Sequence, residues 1–215
     1  MTVAPAGPDD PSRPVRPRDA ASLVLLRQLE GTPQVLLGRR ASAHRFMPNV
    51  YVFPGGRLDA ADATARVQAD LEPAVTDKLT RRWSARKARA LAVAAVRETL
   101  EETGLLLGGM CDGQMHYDLA RLDYVARAIT PTNSPIRFHA RFFMATIDDS
   151  HGTARDSREL RDLRWTALPD AFDLPIADVT EFVLSEVQRR IEGRSPGGVP
   201  LFSYRNGAPR IVYES

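Results

Sequence analysis

The sequence has a single cysteine, a small net charge and no long apolar run, and each of these absences excludes a class of protein. The lone Cys111 excludes a disulfide bond within the chain and is typical of a reducing compartment. No apolar run is long enough to span a membrane, and the first 20 residues lack the apolar stretch of a signal peptide. The net charge of +2 argues against a nucleic-acid partner. We therefore expect a soluble cytoplasmic protein that does not enter a membrane.

The apolar content that is present suits one globular domain, since 43% of the 215 residues are hydrophobic. Residues 1–20 are rich in proline and carry charges of both signs, which predicts a disordered N-terminal arm. Residues 21–215 contain no internal repeat and are predicted to form a single domain.

Apolar patterning and turn-forming residues predict the order of helices and strands. Two apolar runs, 21–29 and 34–40, flank the turn Glu30-Gly31-Thr32-Pro33 and predict a β-hairpin. Aromatic and β-branched residues predict further strands, and a 3.6-residue apolar period predicts a helix near the C-terminus. These later elements are strands at 50–53, 123–129, 136–147 and 163–167, a helix at 176–191, and a hairpin around Asn206-Gly207 that completes the segment 176–215.

Three glutamates, Glu98, Glu101 and Glu102, lie at positions i, i+3 and i+4 of a predicted helix that Ser84 could cap and that ends at Thr103. At about 100° per residue they share one face of the helix, while small and apolar residues occupy the opposite face. Like charges at this spacing repel, and a hard divalent cation such as Mg2+ or Mn2+ would remove the repulsion. A solvated acidic helix face is the alternative interpretation.

The glutamates belong to a longer pattern. Gly56, an acidic residue after it, and the segment Arg97-Glu98-Thr99-Leu100-Glu101-Glu102-Thr103-Gly104-Leu105 together resemble the signature of the Nudix hydrolases. The resemblance covers roughly residues 21–192 and implies an α/β fold, the α/β/α sandwich with a mixed sheet. There are two main departures: Asp62 stands where the signature has glutamate, and 34 residues, where seven are usual, separate Asp62 from Arg97.

The extra residues, about 63–83, are interpreted as an insertion within the signature, helical near 67–71 and 75–83. From Lys78 to Arg89 the chain carries six basic and no acidic side chains. Such a patch could hold a polyanion beside the metal site, and a solvated helix face is the alternative.

The resemblance also implies roles for individual residues. It implies a site for Mg2+ or Mn2+ whose ligands are Glu98, Glu101, Glu102 and the backbone carbonyl of Gly56. Arg97 is expected to orient the glutamates, and Glu101 or Glu159 is expected to act as general base. The alternatives are a surface ion pair for Arg97 and a solvated loop charge for Glu159. Asp59 and Asp62 could support the site or serve only as turn residues.

Substrate-binding candidates are the arginines Arg39, Arg40 and Arg141, because guanidinium groups match phosphate oxygens. Phe46 and Phe53 could stack on a base. The alternatives are arginines that face water and phenylalanines that pack in the core or in a lid.

The sequence from Leu36 to Gly56, with Asp59-Ala60-Ala61-Asp62 after it, resembles an insertion-bearing branch of the family related to peroxisomal coenzyme A diphosphatases. This makes coenzyme A or acyl-coenzyme A the leading candidate for a small, nucleotide-like substrate. ADP-ribose or another nucleoside diphosphate derivative is the alternative. A sensor that binds nucleotide without hydrolysis is a third reading, against which the three retained glutamates argue. The insertion or the helix at 176–191 could form a homodimer interface.

Overall fold

The computed structural model describes residues 15–41, 48–148, 151–194 and 197–214. Within these residues the chain forms twelve strands and three α-helices. The helices are α1 (Pro73–Thr80), α2 (Ala85–Thr103) and α3 (Asp178–Ile191). The strands are β1 (Arg18–Leu29), β2 (Thr32–Arg40), β3 (Tyr51–Val52), β4 (Gly55–Arg57), β5 (Val67–Ala69), β6 (Gly108–Cys111), β7 (Gln114–Asp118), β8 (Asp123–Ile129), β9 (Phe138–Thr146), β10 (Leu160–Ala167), β11 (Val199–Arg205) and β12 (Ala208–Glu214).

Nine of these strands form one mixed sheet in the order β10-β2-β1-β9-β8-β11-β12, with β3 paired to β2 and β4 paired to β1. The pairs β1–β9 and β8–β11 are parallel, and the other pairs in this sheet are antiparallel. Strands β5, β7 and β6 form a separate small sheet. The mixed sheet that the sequence predicted is confirmed.

Helices cover both faces of the large sheet, as the alternation along β1 shows. Leu23 and Leu25 pack in a core cluster with α2, whereas Val24 and Leu26 pack in a second cluster with α3. All four side chains are buried, which explains why β1 is a continuous apolar run rather than an alternating one. The α/β/α sandwich is therefore confirmed.

Helix α2 has clear signals at both of its ends. The Ser84 hydroxyl accepts a hydrogen bond from the Lys87 backbone N–H at 3.3 Å and caps the first turn. Gly104 adopts a left-handed conformation with φ of 78° and ends the helix, its N–H bonded to the Leu100 carbonyl at 2.8 Å. Both boundaries agree with the sequence prediction.

The insertion differs from expectation in its first half. Residues 67–71 were expected to be helical, but Val67–Ala69 is strand β5, parallel to β7. Its partner was also missed, because the glycine-rich stretch after α2 folds as the hairpin β6–β7. The turn of that hairpin is Asp112-Gly113, with φ of 50° and 71°, a combination that strongly favours a tight hairpin. The helical prediction at 75–83 corresponds to α1.

At both termini the strands begin or end at residues other than those predicted. Strand β1 begins at Arg18, so the last residues of the expected N-terminal arm belong to the sheet, and residues 1–14 lie outside the described residues. The C-terminal hairpin is present around Asn206-Gly207, with longer strands than predicted. No helix in the described ranges is long and apolar enough to cross a membrane.

Candidate active site

The C-terminal half of α2 lies against the Gly55-Gly56 loop. The Glu102 carboxylate accepts a hydrogen bond from the Gly55 backbone N–H at 2.8 Å. Glu98 lies beside Gly56 so closely that a Cβ atom on Gly56 would stand 2.3 Å from the Glu98 carboxyl carbon. The structure therefore brings together both halves of the predicted signature, although the insertion separates them in sequence.

Glycine is required at both positions of the loop for steric reasons. A Cβ atom on Gly55 would lie 2.3 Å from the Ser22 hydroxyl oxygen and 2.6 Å from the Ala21 carbonyl oxygen. These distances are well inside van der Waals contact, and neither Ala21 nor Ser22 can move without displacing β1. The pair of glycines thus lets the loop backbone approach α2 and β1 at the same time.

Arg97 connects the segment after the glycine loop, from Arg57 to Asp62, to the glutamates of α2. Its guanidinium donates two hydrogen bonds to the Asp62 carboxylate, at 2.8 and 3.1 Å, and one to the Arg57 carbonyl at 3.1 Å. It also donates to Glu98 at 2.9 Å and to Glu101 at 3.3 Å. The hydrogen bonds to Asp62, together with the charges of Glu98 and Asp62, raise the pKa of Arg97 above its usual value. Arg97 therefore stays charged, and its position is fixed by six acceptor oxygens, since both oxygens of Glu101 accept from it.

Asp62 is buried and anchors the Arg97 guanidinium. Its side chain is 1% exposed and accepts a third hydrogen bond, from the Asp59 backbone N–H at 2.7 Å. The Asp59 carboxylate in turn accepts from the Ala61 N–H at 2.9 Å, which completes a reciprocal cap on a short turn. Both aspartates are thus turn residues, and Asp62 additionally holds Arg97. The shorter side chain at this departure from the signature still reaches its partner.

The electrostatic environment is strongly negative at the end of α2. Glu102 is 7% exposed, and burial raises its pKa to about 8, helped by repulsion from Glu98 and Glu159 and opposed by the Gly55 N–H and Arg40. Burial also raises the pKa of Glu98, against the effect of Arg97. Both carboxylates would therefore take up a proton or a cation more readily than ordinary glutamates do.

The three glutamates are not equivalent. Glu98 and Glu102 converge on the glycine loop, whereas the Glu101 side chain is 57% exposed and contacts Arg97. No group of three acidic, histidine or cysteine side chains in the described ranges is already gathered as a metal cage. The donor set still fits a hard cation, because the carboxylates of Glu98 and Glu102 face a loop whose backbone carbonyls are the same type of ligand.

A cavity of about 650 Å3 opens beside these glutamates. Arg40, Glu98 and Glu159 line its polar end, so two further predicted residues are brought to the site. Burial lowers the pKa of Arg40, while the charges of Glu102 and Glu159 act in the opposite direction. The apolar lining includes Phe53, Ile129, Ile136, Phe138, Phe142, Phe202 and Tyr204.

Three further substrate-binding candidates differ in where they lie relative to the cavity. Phe53 is buried and lines the cavity, with its ring edge-on to Phe142 at 6.3 Å between centroids. Arg39 is exposed and is not among the lining residues, because alternation along β2 directs it away from Arg40. Phe46 lies outside the described residues.

Arg141 contradicts its predicted role. It is fully buried, donates to Asp19 at 2.6 Å and lies 4.3 Å from the centre of the Trp83 ring. Its neighbours on β9, Ala140 and Phe142, line the cavity, so Arg141 points to the opposite face of the sheet. The strand alternation was visible in the sequence, but which face meets the cavity depends on the packing of α2 and α3.

The basic patch of the insertion is not beside the glutamates. It lies at the other end of α2, and four of its side chains form ion pairs there. These pairs are Lys78–Asp123, Arg82–Glu214, Lys87–Asp19 and Arg89–Asp70. Of the two interpretations of the patch, this placement argues against a polyanion held beside the metal site.

Sequence reasoning missed one wall of the cavity. Residues Ala177 to Thr180, at the start of α3, line it together with Tyr204, whose hydroxyl hydrogen-bonds the Asp178 carboxylate. No local motif marks these residues. They reach the cavity only because β11 joins the sheet beside β8, a pairing of distant segments.

Comparison with known proteins gives a consistent picture. Models of known protein families give no match to the chain. A NUDIX hydrolase from Alicyclobacillus acidocaldarius, known from its crystal structure, is 30% identical with a TM-score of 0.60, and the match covers 79% of this chain and 90% of that chain. The NUDIX domain of Shewanella oneidensis NrtR, solved with ADP ribose, is 16% identical with a TM-score of 0.54 over 86% of this chain and 94% of that one. This second likeness concerns the fold.

A relative in Caenorhabditis elegans, which carries the name nudix hydrolase 7, is 26% identical over 167 residues. The match covers 73% of this chain and 53% of that protein, so the chain spans about half the length of this curated relative.

Proposed function

The chain belongs to the Nudix hydrolase family, and on that premise we propose that the cavity beside Glu98 and Glu102 is the active site of a metal-dependent diphosphatase. The observation that carries the proposal is the closure of both glutamates on the Gly55-Gly56 loop at the polar end of a 650 Å3 cavity. A cavity of this size suits a substrate of nucleotide dimensions.

The proposed metal, Mg2+ or Mn2+, is held by Glu98, Glu102 and the Gly56 carbonyl, with Glu101 as a further ligand. When bound, such an ion neutralises diphosphate charge and acidifies a water molecule. Arg97 positions Glu98 and Glu101 through the hydrogen bonds described above and is itself fixed by Asp62. In this proposal Arg97 orients the ligands without touching the substrate.

The general base is proposed to be Glu101 or Glu159. Glu159 lines the cavity and acts on the pKa of Glu102, so it lies close to the reacting region. Glu101 is more exposed and contacts the Arg97 guanidinium. Arg40, half-buried near Glu102 and Glu159, is proposed to contact a substrate phosphate, because a guanidinium there opposes the concentrated carboxylate charge.

For the substrate, a nucleoside diphosphate derivative matches a cavity with one charged and one apolar end. Coenzyme A or acyl-coenzyme A is our leading candidate, since the aromatic and aliphatic lining would accept a long, weakly polar arm as well as a base. ADP-ribose is the second candidate. Retention of all three glutamates argues against a sensor that does not hydrolyse its ligand.

A product assay tests the proposal directly. Coenzyme A, acetyl-coenzyme A, ADP-ribose, NADH and diadenosine polyphosphates are incubated with the protein and Mg2+ or Mn2+, with EDTA as the metal-free control. We expect turnover of at least one compound, its loss with EDTA, and a loss of about 1,000-fold or more in Glu102→Gln. Release of 3′,5′-ADP supports coenzyme A. Turnover of ADP-ribose alone keeps the chemistry and rejects the coenzyme A assignment, and full activity of Glu102→Gln rejects the proposed site.

A further inference from the structure

A second cavity, of about 330 Å3, lies between α1, the turn that follows α1, and strands β8, β11 and β12. Its walls come from Lys78, Arg81, Arg82, Trp83, Tyr124, Arg127, Val199 and Glu214. Trp83 precedes Glu98 by 15 positions in the sequence, which along a helix corresponds to about 20 Å. The cavity is therefore separate from the glutamate site, and nothing in the proposed hydrolysis uses it.

The lining carries more positive than negative charge. Four of the eight lining residues are lysine or arginine, and one is acidic. That single carboxylate, on Glu214, is shared: it accepts two hydrogen bonds from Arg82, at 2.6 and 3.0 Å, and two from Arg127, of which the one from Nε is 2.9 Å long. Lys78 has a more distant partner in Asp123, at 3.4 Å, and both side chains of that pair are about 40% exposed. One carboxylate thus faces two guanidinium groups.

Two buried residues at or behind the lining, Tyr124 and Arg141, have polar atoms without hydrogen-bond partners in the described residues. The Tyr124 hydroxyl is buried and has no hydrogen-bond partner within the described ranges. The same holds for Nε and Nη2 of Arg141, whose guanidinium stacks on the inner face of the Trp83 ring. Unsatisfied buried donors are costly, and Tyr124 lines a cavity that is large enough to admit an acceptor.

We propose that this cavity is a binding site for a phosphate group, which takes the place of the Glu214 carboxylate between Arg82 and Arg127. The two guanidinium groups carry two positive charges, whereas the Glu214 carboxylate between them carries one negative charge. A phosphate group offers three or more oxygens and a second negative charge. The cavity exceeds the volume of one phosphate, so the group can be a free ion or part of a phosphate monoester.

The tryptophans provide a local readout. The chain has two, and Trp165 contacts Arg27 elsewhere in the molecule, so a Trp165→Phe variant reports on Trp83 alone. In this background, with EDTA present and at constant ionic strength, the fluorescence of Trp83 is followed during titration with inorganic phosphate, adenosine 5′-monophosphate or chloride. A saturable change with phosphate but not with chloride is expected. Stronger binding of the monoester identifies an organic phosphate as the ligand, and stronger binding of phosphate identifies the free ion.

Two substitutions with opposite expected effects make the test specific. Arg82→Gln, at an exposed position that does not threaten the fold, should weaken phosphate binding about tenfold. Glu214→Gln removes the competing negative charge and should strengthen binding severalfold. Arg121→Gln, which changes an exposed arginine outside the cavity, is the matched control and should leave binding unchanged. No saturable change, an equal response to chloride, or equal affinities in Arg82→Gln and the parent would overturn the proposal.

Discussion

The two ends of helix α2 carry opposite charge and are held in different ways. At the C-terminal end, Glu98, Glu101 and Glu102 are gathered by one arginine, one backbone N–H and the glycine loop. At the N-terminal end, the basic side chains of the insertion are held by scattered carboxylates such as Asp19 and Glu214. Both arrangements run against the helix dipole, which favours acidic groups at the N-terminus and basic groups at the C-terminus.

The acidic end is specified by a local sequence motif, whereas the basic end depends on contacts between residues that are distant in sequence. The acidic end is encoded within nine consecutive residues, and its partner, the glycine loop, is recognisable as a second short motif. The partners of the basic end are distant in sequence, since Glu214 meets Arg82 across 132 positions. Neither charge arrangement stabilises the helix through its dipole, and our two proposals assign a ligand to each end.

The steric match at the acidic end can be broken by one methyl group. Gly56→Ala would place its Cβ atom 2.3 Å from the Glu98 carboxyl carbon, so the loop or the carboxylate must shift. We expect a loss of turnover of about 100-fold, because misplacement of a catalytic group by about 1 Å has an effect of this size. Turnover is measured with the best substrate of the product assay, and circular dichroism checks the fold.

The matched control for this substitution is Gly197→Ala. Gly197 is exposed, and no atom of the described residues lies within 4 Å of a Cβ atom built on it. Turnover of this variant should stay within about twofold of the parent, as for surface substitutions in general. If Gly56→Ala kept the turnover of the parent, close approach of loop and helix would not be needed for activity.

Much of the acidic end was predictable because both of its motifs are short and their chemistry is local. The cap at Ser84 and the end at Gly104 follow from residue types at fixed spacing, whereas the grouping of Glu98 with Gly56 follows from the resemblance to the family signature. The fixing of Arg97 by Asp62 was not predictable, since their separation by the insertion hides the pairing. For Asp62 the sequence left a turn role and a supporting role open, and the structure combines them.

The basic end and the cavity walls were less predictable for a physical reason. Whether Arg141 faces substrate or core depends on which face of β9 each helix covers, and alternation alone does not decide this. The strand Val67–Ala69 was mistaken for a helix because its pairing partner, β7, follows α2 in the chain. Such errors concern contacts between distant segments, where local propensity is a weak guide.

The positive charge at the basic end should also make the free energy of unfolding depend on pH. Burial lowers the pKa of His139 to about 3, with further lowering by Arg141, Arg127 and Lys87 against the opposite effect of Asp19. The folded protein therefore keeps His139 neutral, while the unfolded chain takes up a proton below its ordinary pKa of about 6.5. Stability is lost as the pH falls from 6.5 towards 3. The full shift corresponds to about 2.7 kcal/mol at pH 4.5, and the partial exposure of the half-buried ring reduces the expected loss to about 2 kcal/mol.

His139→Gln isolates this contribution, because glutamine does not titrate. Urea unfolding of both proteins from pH 7 to pH 4.5 should show a smaller loss of stability in the variant, while carboxylates contribute equally to the two curves. Parallel curves would mean that His139 is accessible to protons and that the positive field around it is weaker than the structure indicates.

The smallest effect is expected where α2 begins. Ser84→Ala removes the acceptor of the Lys87 N–H and should lower the free energy of unfolding by about 1 kcal/mol. Ser84→Asn, which keeps an acceptor, should restore most of the loss. Turnover should change by less than about twofold in either variant, because Ser84 is about 20 Å from Glu98 along the helix. A large loss of turnover with Ser84→Ala would show that the two ends of α2 are coupled, so that the charge at one end and the catalysis at the other could no longer be treated as separate properties of one helix.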